Sequence, residues 1–240
     1  MTDNEKVVYW NCEEGKKRLF ESKYAHDFFE LAHLFERQIK PTYCGIASAT
    51  MVLNAFRVGK KGLTLGTGLD VPLPGEGKIG FNCYTQLTFF DPEIEQIESI
   101  KSCDVVEGKA TENFNPGFSL SELARKLRSF LLNVDVIQAK EHNDKSLQRF
   151  RHDLMAYATD KQTFIIANFD SKVFDHNGSG HFSPVTAYHP QTDSCLVMDT
   201  AGHKNPWFWA PVELMYKAMH TQDSNGEYRG YLAVADKLDR

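Results

Sequence analysis

The chain has 240 residues, 42 % hydrophobic and 25 % charged, with a net charge of -5 at pH 7. That is ordinary globular composition, enough for one sizeable core or two packed lobes. The mild acidity, with no basic block beyond residues 57–61, excludes an electrostatic case for nucleic acid or an anionic membrane surface. No apolar run approaches the ~20 residues of a spanning helix, and the polar start at residues 1–6 shows no signal-peptide pattern, so a cytoplasmic protein is expected.

Residues 1–25 are polar with scattered aromatics (Tyr9, Trp10, Phe20, Tyr24) and read as an irregular arm with one short strand. Phe28, Leu31, Ala32 and Phe35 share a helical face over 27–35, and Pro41 limits how far that helix runs. From Cys44 to about Phe56, Ile46, Ala49, Leu53 and Phe56, joined by Val52, keep helical period, while Ala47 and Ser48 permit close packing. Residues 59–80 are rich in glycine and hold Pro72 and Pro74, which predicts an extended loop. Residues 81–90 are aromatic without alternation, and 91–100 read as a helix start with an acidic first turn. The polar stretch 108–117 marks the crossing between two lobes.

Beyond it, a helix is expected from Ser119 to about Leu132, capped by Ser119 or Ser121. Val134, Val136 and Gln138 predict a short strand, and residues 145–159 a helix with apolar positions at 147, 150, 154 and 157. Strands follow at 164–169, 181–188, 194–199 and 231–235, with a hairpin-type connection at 190–193 and a helix at 211–219. Helices come first and strands second, which favours an α+β fold over an alternating parallel sheet.

Of the five cysteines, Cys12, Cys44, Cys83, Cys103 and Cys195, none stands in a C-x-x-C pair, so reduced thiols are expected rather than a disulfide framework or a zinc site. Cys44 opens its helix, where the positive end of the dipole favours a thiolate. Acyl transfer needs such a nucleophile, a base, a group that orients the base, and donors for the oxyanion. His181 follows Gly178, Ser179 and Gly180, where glycines let a chain pass close to substrate. Asp199 ends an apolar strand and can fix the tautomer of an imidazole. Gln38 carries an amide NH2 that can donate beside the Cys44 backbone N–H. The order Cys, His, polar orienter is papain-like, and the Cys44-to-His181 separation falls in the ~130–150-residue range of that arrangement. Each residue alone also has a plainer reading. Cys44 could be a small buried hydrophobe, His181 a satisfied turn histidine, and Asp199 a strand-end acid. Asn168 could serve backbone groups at a strand end, and Asp223 with Arg229 could form a surface ion pair. The other four cysteines read as structural.

The local sequences resemble the phytochelatin synthase family, in its short prokaryotic-type catalytic form. Phytochelatin synthases are papain-like glutathione γ-glutamylcysteinyltransferases. The matching stretches are 28–31 leading to Gln38, 41–48 with 52–55, 178–184, then Met198 and Asp199 with Lys204, Pro206 and Trp209, and finally 218–230. The resemblance implies a papain-like α+β fold, a helical N-terminal lobe on an antiparallel C-terminal sheet. It further implies one catalytic domain over residues 1–240, with lobes at about 1–115 and 116–240. Cys44 would attack the Cys–Gly bond of glutathione with His181 and Asp199, and Gln38 would serve the oxyanion. Asn168, Asp223 and Arg229 would hold the γ-glutamyl end, with Gly180 and Phe182 as further substrate-binding residues. The γ-Glu-Cys thioester would pass to a second glutathione or to water. No tightly bound cofactor and no protein metal site are implied. Cadmium or zinc would act as glutathione thiolates, and a homodimer is compatible.

The chain departs from the family at Gly202, where an arginine is usual three residues after the triad aspartate, and at His203 and Asn205, where aromatic residues are usual. Losing that cation should weaken transfer relative to hydrolysis. Two rival readings remain: a papain-like peptidase or transamidase for another small peptide, and a metal or thiol buffer protein.

Overall fold

The computed structural model describes residues 6–57, 69–72, 78–81, 83–87, 89, 105–106, 109–110, 117–160 and 163–237. The helix expected at 91–100 and Cys103 lie outside them, as does most of the stretch 108–117.

In chain order the elements are β1 (Val8–Tyr9), α1 (Glu13–Glu21), α2 (His26–Ala32), α3 (Cys44–Arg57), β2 (Leu69–Pro72), β3 (Lys78–Phe81), β4 (Val105–Val106) and β5 (Lys109–Ala110). There follow α4 (Leu120–Ser129), β6 (Leu132–Gln138), α5 (Asp144–Asp160), β7 (Thr163–Asp170), β8 (Gly180–His189), β9 (Ser194–Val197), β10 (Phe208–Pro211), α6 (Val212–Met219) and β11 (Gly230–Asp236). Seven strands form one antiparallel sheet in the order β1-β10-β9-β8-β7-β11-β6. The chain is therefore α+β.

Alternation along the strands divides the core in two. Phe164, Ile166, Phe182, Leu196, Trp209 and Leu232 face α2, α3 and α4 and meet Leu31, Ile46, Leu53 and Leu123. Ile165, Ala167, Val185, Val197, Phe208 and Tyr231 face α5 and α6 and meet Phe150, Leu154, Met215 and Met219. Helices on both faces explain why β7 is a continuous apolar run despite its antiparallel neighbours. The register between Val185 and Ala187 shifts against β9, a bulge that leaves Thr186 out of step.

Three expectations need correction. Over its described residues, 6–25, the arm is not irregular beyond its strand, because α1 forms without a strong apolar face. The Cys12 sulfur caps Gly15 N, Arg18 pairs with Glu14 at 2.9 Å, and the Trp209 indole donates to Gly15 O at 3.0 Å. Gly15 permits this seat, since a Cβ there would fall 2.1 Å from Tyr9 O. The loop expected at 59–80 contains a hairpin, β2 paired with β3. β10 was missed because four residues ending in Pro211 are too short for a period; it exists through pairing with β9. Conversely, Ser119 is the cap of α4, in a full capping box with Glu122. That helix stops at Ser129 because Leu131 turns to φ 61 before β6.

Candidate active site

Cys44 is the first residue of α3 and is 8 % exposed. The turn before it closes through Tyr43 N donating to Lys40 O, and the helix begins with Ala47 N on Tyr43 O at 2.8 Å. The first turn of α3 carries no acidic residue, so the positive helix end is left for an anion at Cys44.

The sheet brings the partners. His181 is the second residue of β8, opposite Phe169, whose ring meets the imidazole edge-on at 5.5 Å. Asp199 follows β9 and is 2 % exposed. Met198 N donating to Pro184 O holds it beside β8, and Thr200 Oγ1 donates to Phe182 O at 3.2 Å. His181 Nε2 and Asp199 Oδ1 are 2.7 Å apart, and Oδ1 also accepts from Ala201 N at 2.8 Å. With Nε2 taken by Asp199, Nδ1 remains for the hydrogen bond between His181 and Cys44.

Burial opposes ionisation of the Cys44 thiol. The hydrogen bond and charge of His181, with the N–H groups of Phe182 and Gly45, outweigh it and hold the thiol below its ordinary value. Burial likewise opposes the imidazolium, but Asp199 and Cys44 push His181 up to about 10. Burial resists the Asp199 carboxylate too, and His181 and Ala201 N bring it below its ordinary value. All three shifts favour one state, a thiolate and imidazolium backed by a carboxylate.

Gln38 sits against this group through its backbone N–H, which donates to Thr200 O at 3.0 Å. Its amide nitrogen donates to Lys40 O and Pro41 O at 3.0 and 2.9 Å, while Oε1 is buried with no hydrogen-bond partner among the described residues. Serving an oxyanion would require Gln38 to give up one of those two bonds. The expected free donor is thus committed to its own loop.

Two pockets adjoin the triad. One, of about 390 Å³, is lined by Cys44, Asn168, Gly180, Phe182, Asp223 and Arg229 among others. The second, of about 290 Å³, is lined by Gln38, His181 and Asp199 together with Gly180 and Lys204. Every residue singled out in the sequence as catalytic or substrate-binding lines one of them.

Arg229 is 7 % exposed and not a surface ion-pair member. It donates to Thr221 Oγ1 at 3.1 Å and to Gln222 O, while its Nε is buried with no hydrogen-bond partner among the described residues. Burial lowers its pKa, against the opposing charges of Asp170 and Asp223. A Cβ at Gly180 would stand 2.8 Å from Arg229 Nη2, so a side chain there would displace the guanidinium. Asp223 accepts from the N–H groups of Asn225 and Glu227 and so shapes the turn. Asn168 donates to His181 O at 3.2 Å, the plainer strand-end duty, while also lining the pocket.

Phe118 and Ser119 form a wall that sequence reasoning did not assign, although the capping signal placed Ser119. Glu227 was also missed: it accepts from Ser121 Oγ and from Gln138 Nε2, tying the 222–228 turn to α4 and β6. Its long-range partners leave no local signal. At Gly202 the space is not empty, because a Cβ there would come 3.0 Å from Arg37 Nε.

The family model for phytochelatin synthase matches residues 2–231. A "Glutathione gamma-glutamylcysteinyltransferase 3" of Lotus japonicus is 28 % identical over 95 % of this chain and 42 % of its own length. Proteins named glutathione gamma-glutamylcysteinyltransferase from Triticum aestivum and Schizosaccharomyces pombe are each 26 % identical, over 95 % and 87 % of this chain and 40 % and 43 % of their own lengths. The chain spans about two fifths of the length of the curated relatives it matches.

Proposed function

From the premise that the chain belongs to the phytochelatin synthase family, we propose that it cleaves glutathione at the Cys–Gly bond and transfers γ-Glu-Cys to a second glutathione or to water. The observation that carries this is Cys44 at a helix start, hydrogen-bonded to an Asp199-backed His181 and lining a pocket with a buried arginine. A plain peptide has no need of that arginine. A γ-glutamyl group presents a free α-carboxylate and α-amine, which call for one cation and one anion. Arg229, which lines the pocket, supplies the first and Asp223 the second.

The Cys44 thiolate attacks the Cys–Gly carbonyl. A C–S bond forms, the C–N bond breaks, and His181 gives its proton to the departing glycine nitrogen. Neutral His181 then takes a proton from water or from the α-amine of an acceptor. The new C–O or C–N bond displaces Cys44 as thiolate, and the ion pair is restored. Asp199 holds the ring for both transfers. The backbone N–H of Cys44, with Gln38 once it releases a loop carbonyl, would meet the oxyanion. Thiol-binding metals such as cadmium or zinc enter as glutathione thiolates on the substrate. Among the described residues no group of three or more His, Cys, Asp or Glu is disposed to hold an ion.

Incubation with glutathione tests the reading. Glycine should be released and the intact protein should carry one γ-Glu-Cys adduct, mapped to Cys44. Turnover that persists in Cys44→Ser, or no glycine release with or without cadmium, would refute it. A thiol buffer, by contrast, would lose only one thiol's capacity in that variant.

A further inference from the structure

A second histidine, His176, stands in the segment that joins β7 to β8, and the acyl-transfer chemistry gives it no part. It is 8 % exposed. Its ring lies nearly parallel to that of Tyr9 in β1, with centroids 6.4 Å apart, perpendicular to Phe208 of β10 at 4.8 Å, and 6.0 Å from Phe174. Its Nε2 is buried there with no hydrogen-bond partner among the described residues. Protonation would put an N–H in that aromatic seat without an acceptor, so the seat fits the neutral ring. Burial accordingly holds His176 below its ordinary 6.5, against the charges of Asp199 and Asp175 and with that of His181. Asp199, the anion from the neighbouring strand end, is already paired with His181 at 2.7 Å.

What this ring anchors lines the site. The single turn Ser171–Phe174 is pinned by apolar packing, since Phe174 is buried and its ring meets Phe169 at 5.6 Å. Beyond it the backbone is left-handed at Asp175, φ 59, and again at Gly178, φ 140. His176 N donates to Ser171 O at 3.2 Å, and Ser171 N donates to Ser179 O at 3.0 Å. Asn177, Gly178 and Ser179 then line the pocket beside His181, and Ser179 also lines the pocket beside Cys44. His176 is the one buried residue of 175–179. We infer that His176 is a positioning residue of the cleft: its neutral ring pins residues 175–179 against the substrate pockets and releases them when it is protonated. Its bearing on turnover rests on the acyl-transfer reading above and deepens it, adding a pH response set outside the triad. Because the folded seat favours the neutral ring, the anchor holds fully above 6.5 and weakens as pH falls below that value. One proton per release limits the weakening to about tenfold per pH unit.

Hydrogen exchange reads the release without substrate. In the native chain the protection factors of the Ser171 and His176 amides should fall severalfold, about tenfold at most, between about pH 7.5 and 5.5. KM for glutathione should rise over the same interval. His176→Phe fills an aromatic seat with a ring that cannot titrate, and His176→Gln is neutral throughout. Both variants should lose this pH dependence in protection and in KM, whereas a residue that only packs would leave both pH profiles as they are. Protection that does not fall in the native chain, or that falls equally in both variants, overturns the anchor. Protection that tracks His176 while KM stays level overturns its role in the cleft. No glycine release at any pH overturns the underlying function instead, and the exchange result then still decides the anchor.

Discussion

Replacing Asp199 by asparagine isolates the charge behind the imidazole. The amide keeps the shape of the carboxylate, and its oxygen can still accept from His181 Nε2 and from Ala201 N, as Oδ1 does now at 2.7 and 2.8 Å. What is lost is the ionic part of a buried hydrogen bond, worth about 1.5–3 kcal/mol. At 1.36 kcal/mol per unit, the His181 pKa should fall by about 1–2 units from its value of about 10. Nuclear magnetic resonance of ring-labelled histidine reads this directly, with Cys44 intact. The rate of Cys44 alkylation by iodoacetamide at neutral pH, followed by peptide mapping, should fall with it, since the neutral pair gains population. Native His181 titrating near its ordinary 6.5, or a midpoint that does not move in Asp199→Asn, would refute the assignment of Asp199 as the group that holds the imidazolium.

Gly180→Ala places a methyl group 2.8 Å from Arg229 Nη2, so KM for glutathione should rise at least severalfold while the melting temperature changes little; an unchanged KM would remove Arg229 from substrate recognition. Arg57 and Asp236 form a buried pair at 3.0 Å joining α3 to the end of β11. Arg57→Ala leaves the carboxylate in the interior and should cost about 3–5 kcal/mol in urea unfolding. The triad pair makes a pH-dependent contribution with two edges. His181, raised, contributes fully below 6.5 and loses that contribution as pH rises through about 10. Cys44, lowered, contributes fully above 9.0 and loses that as pH falls through its folded value. Above 9.0 the unfolded chain has lost both protons while folded His181 keeps its own, so the urea-midpoint gap between the native chain and Cys44→Ala/His181→Gln should shrink as pH rises from about 9 to about 10, and should shrink also as pH falls through the folded value of Cys44. A gap that widens above pH 9 would argue against the ion pair.

How much of this was legible in the chain follows from the range of the forces involved. Local forces wrote themselves into the sequence. The period of Ile46, Ala49, Leu53 and Phe56 specified α3 with Cys44 at its start, and the apolar runs marked β7, β8, β9 and β11 within two residues of their ends. The capping box at Ser119 began α4. The papain-like order of Cys44, His181 and Asp199 was a linear pattern, and the local resemblance around each made it specific. Elements without a local driving force were not legible. β10 exists only because β9 offers an unpaired edge, and α1 rests on a cysteine cap and a glycine seated under Tyr9 O.

The site divides in the same way. Sequence determined that a cysteine would open a helix, that a histidine would follow a glycine turn, and which polar residues accompany them, because residue identity and short spacing set those features. Tertiary structure decided what each group faces. Only the packed sheet set His181 Nε2 on Asp199, turned Gln38 onto its own loop carbonyls, and buried Arg229 with a nitrogen unspent. Only the fold laid Arg37 along Gly202, joining residues far apart in the chain. Burial and long-range proximity depend on how every element packs, and they decide charge state and partner, which no stretch of sequence encodes alone.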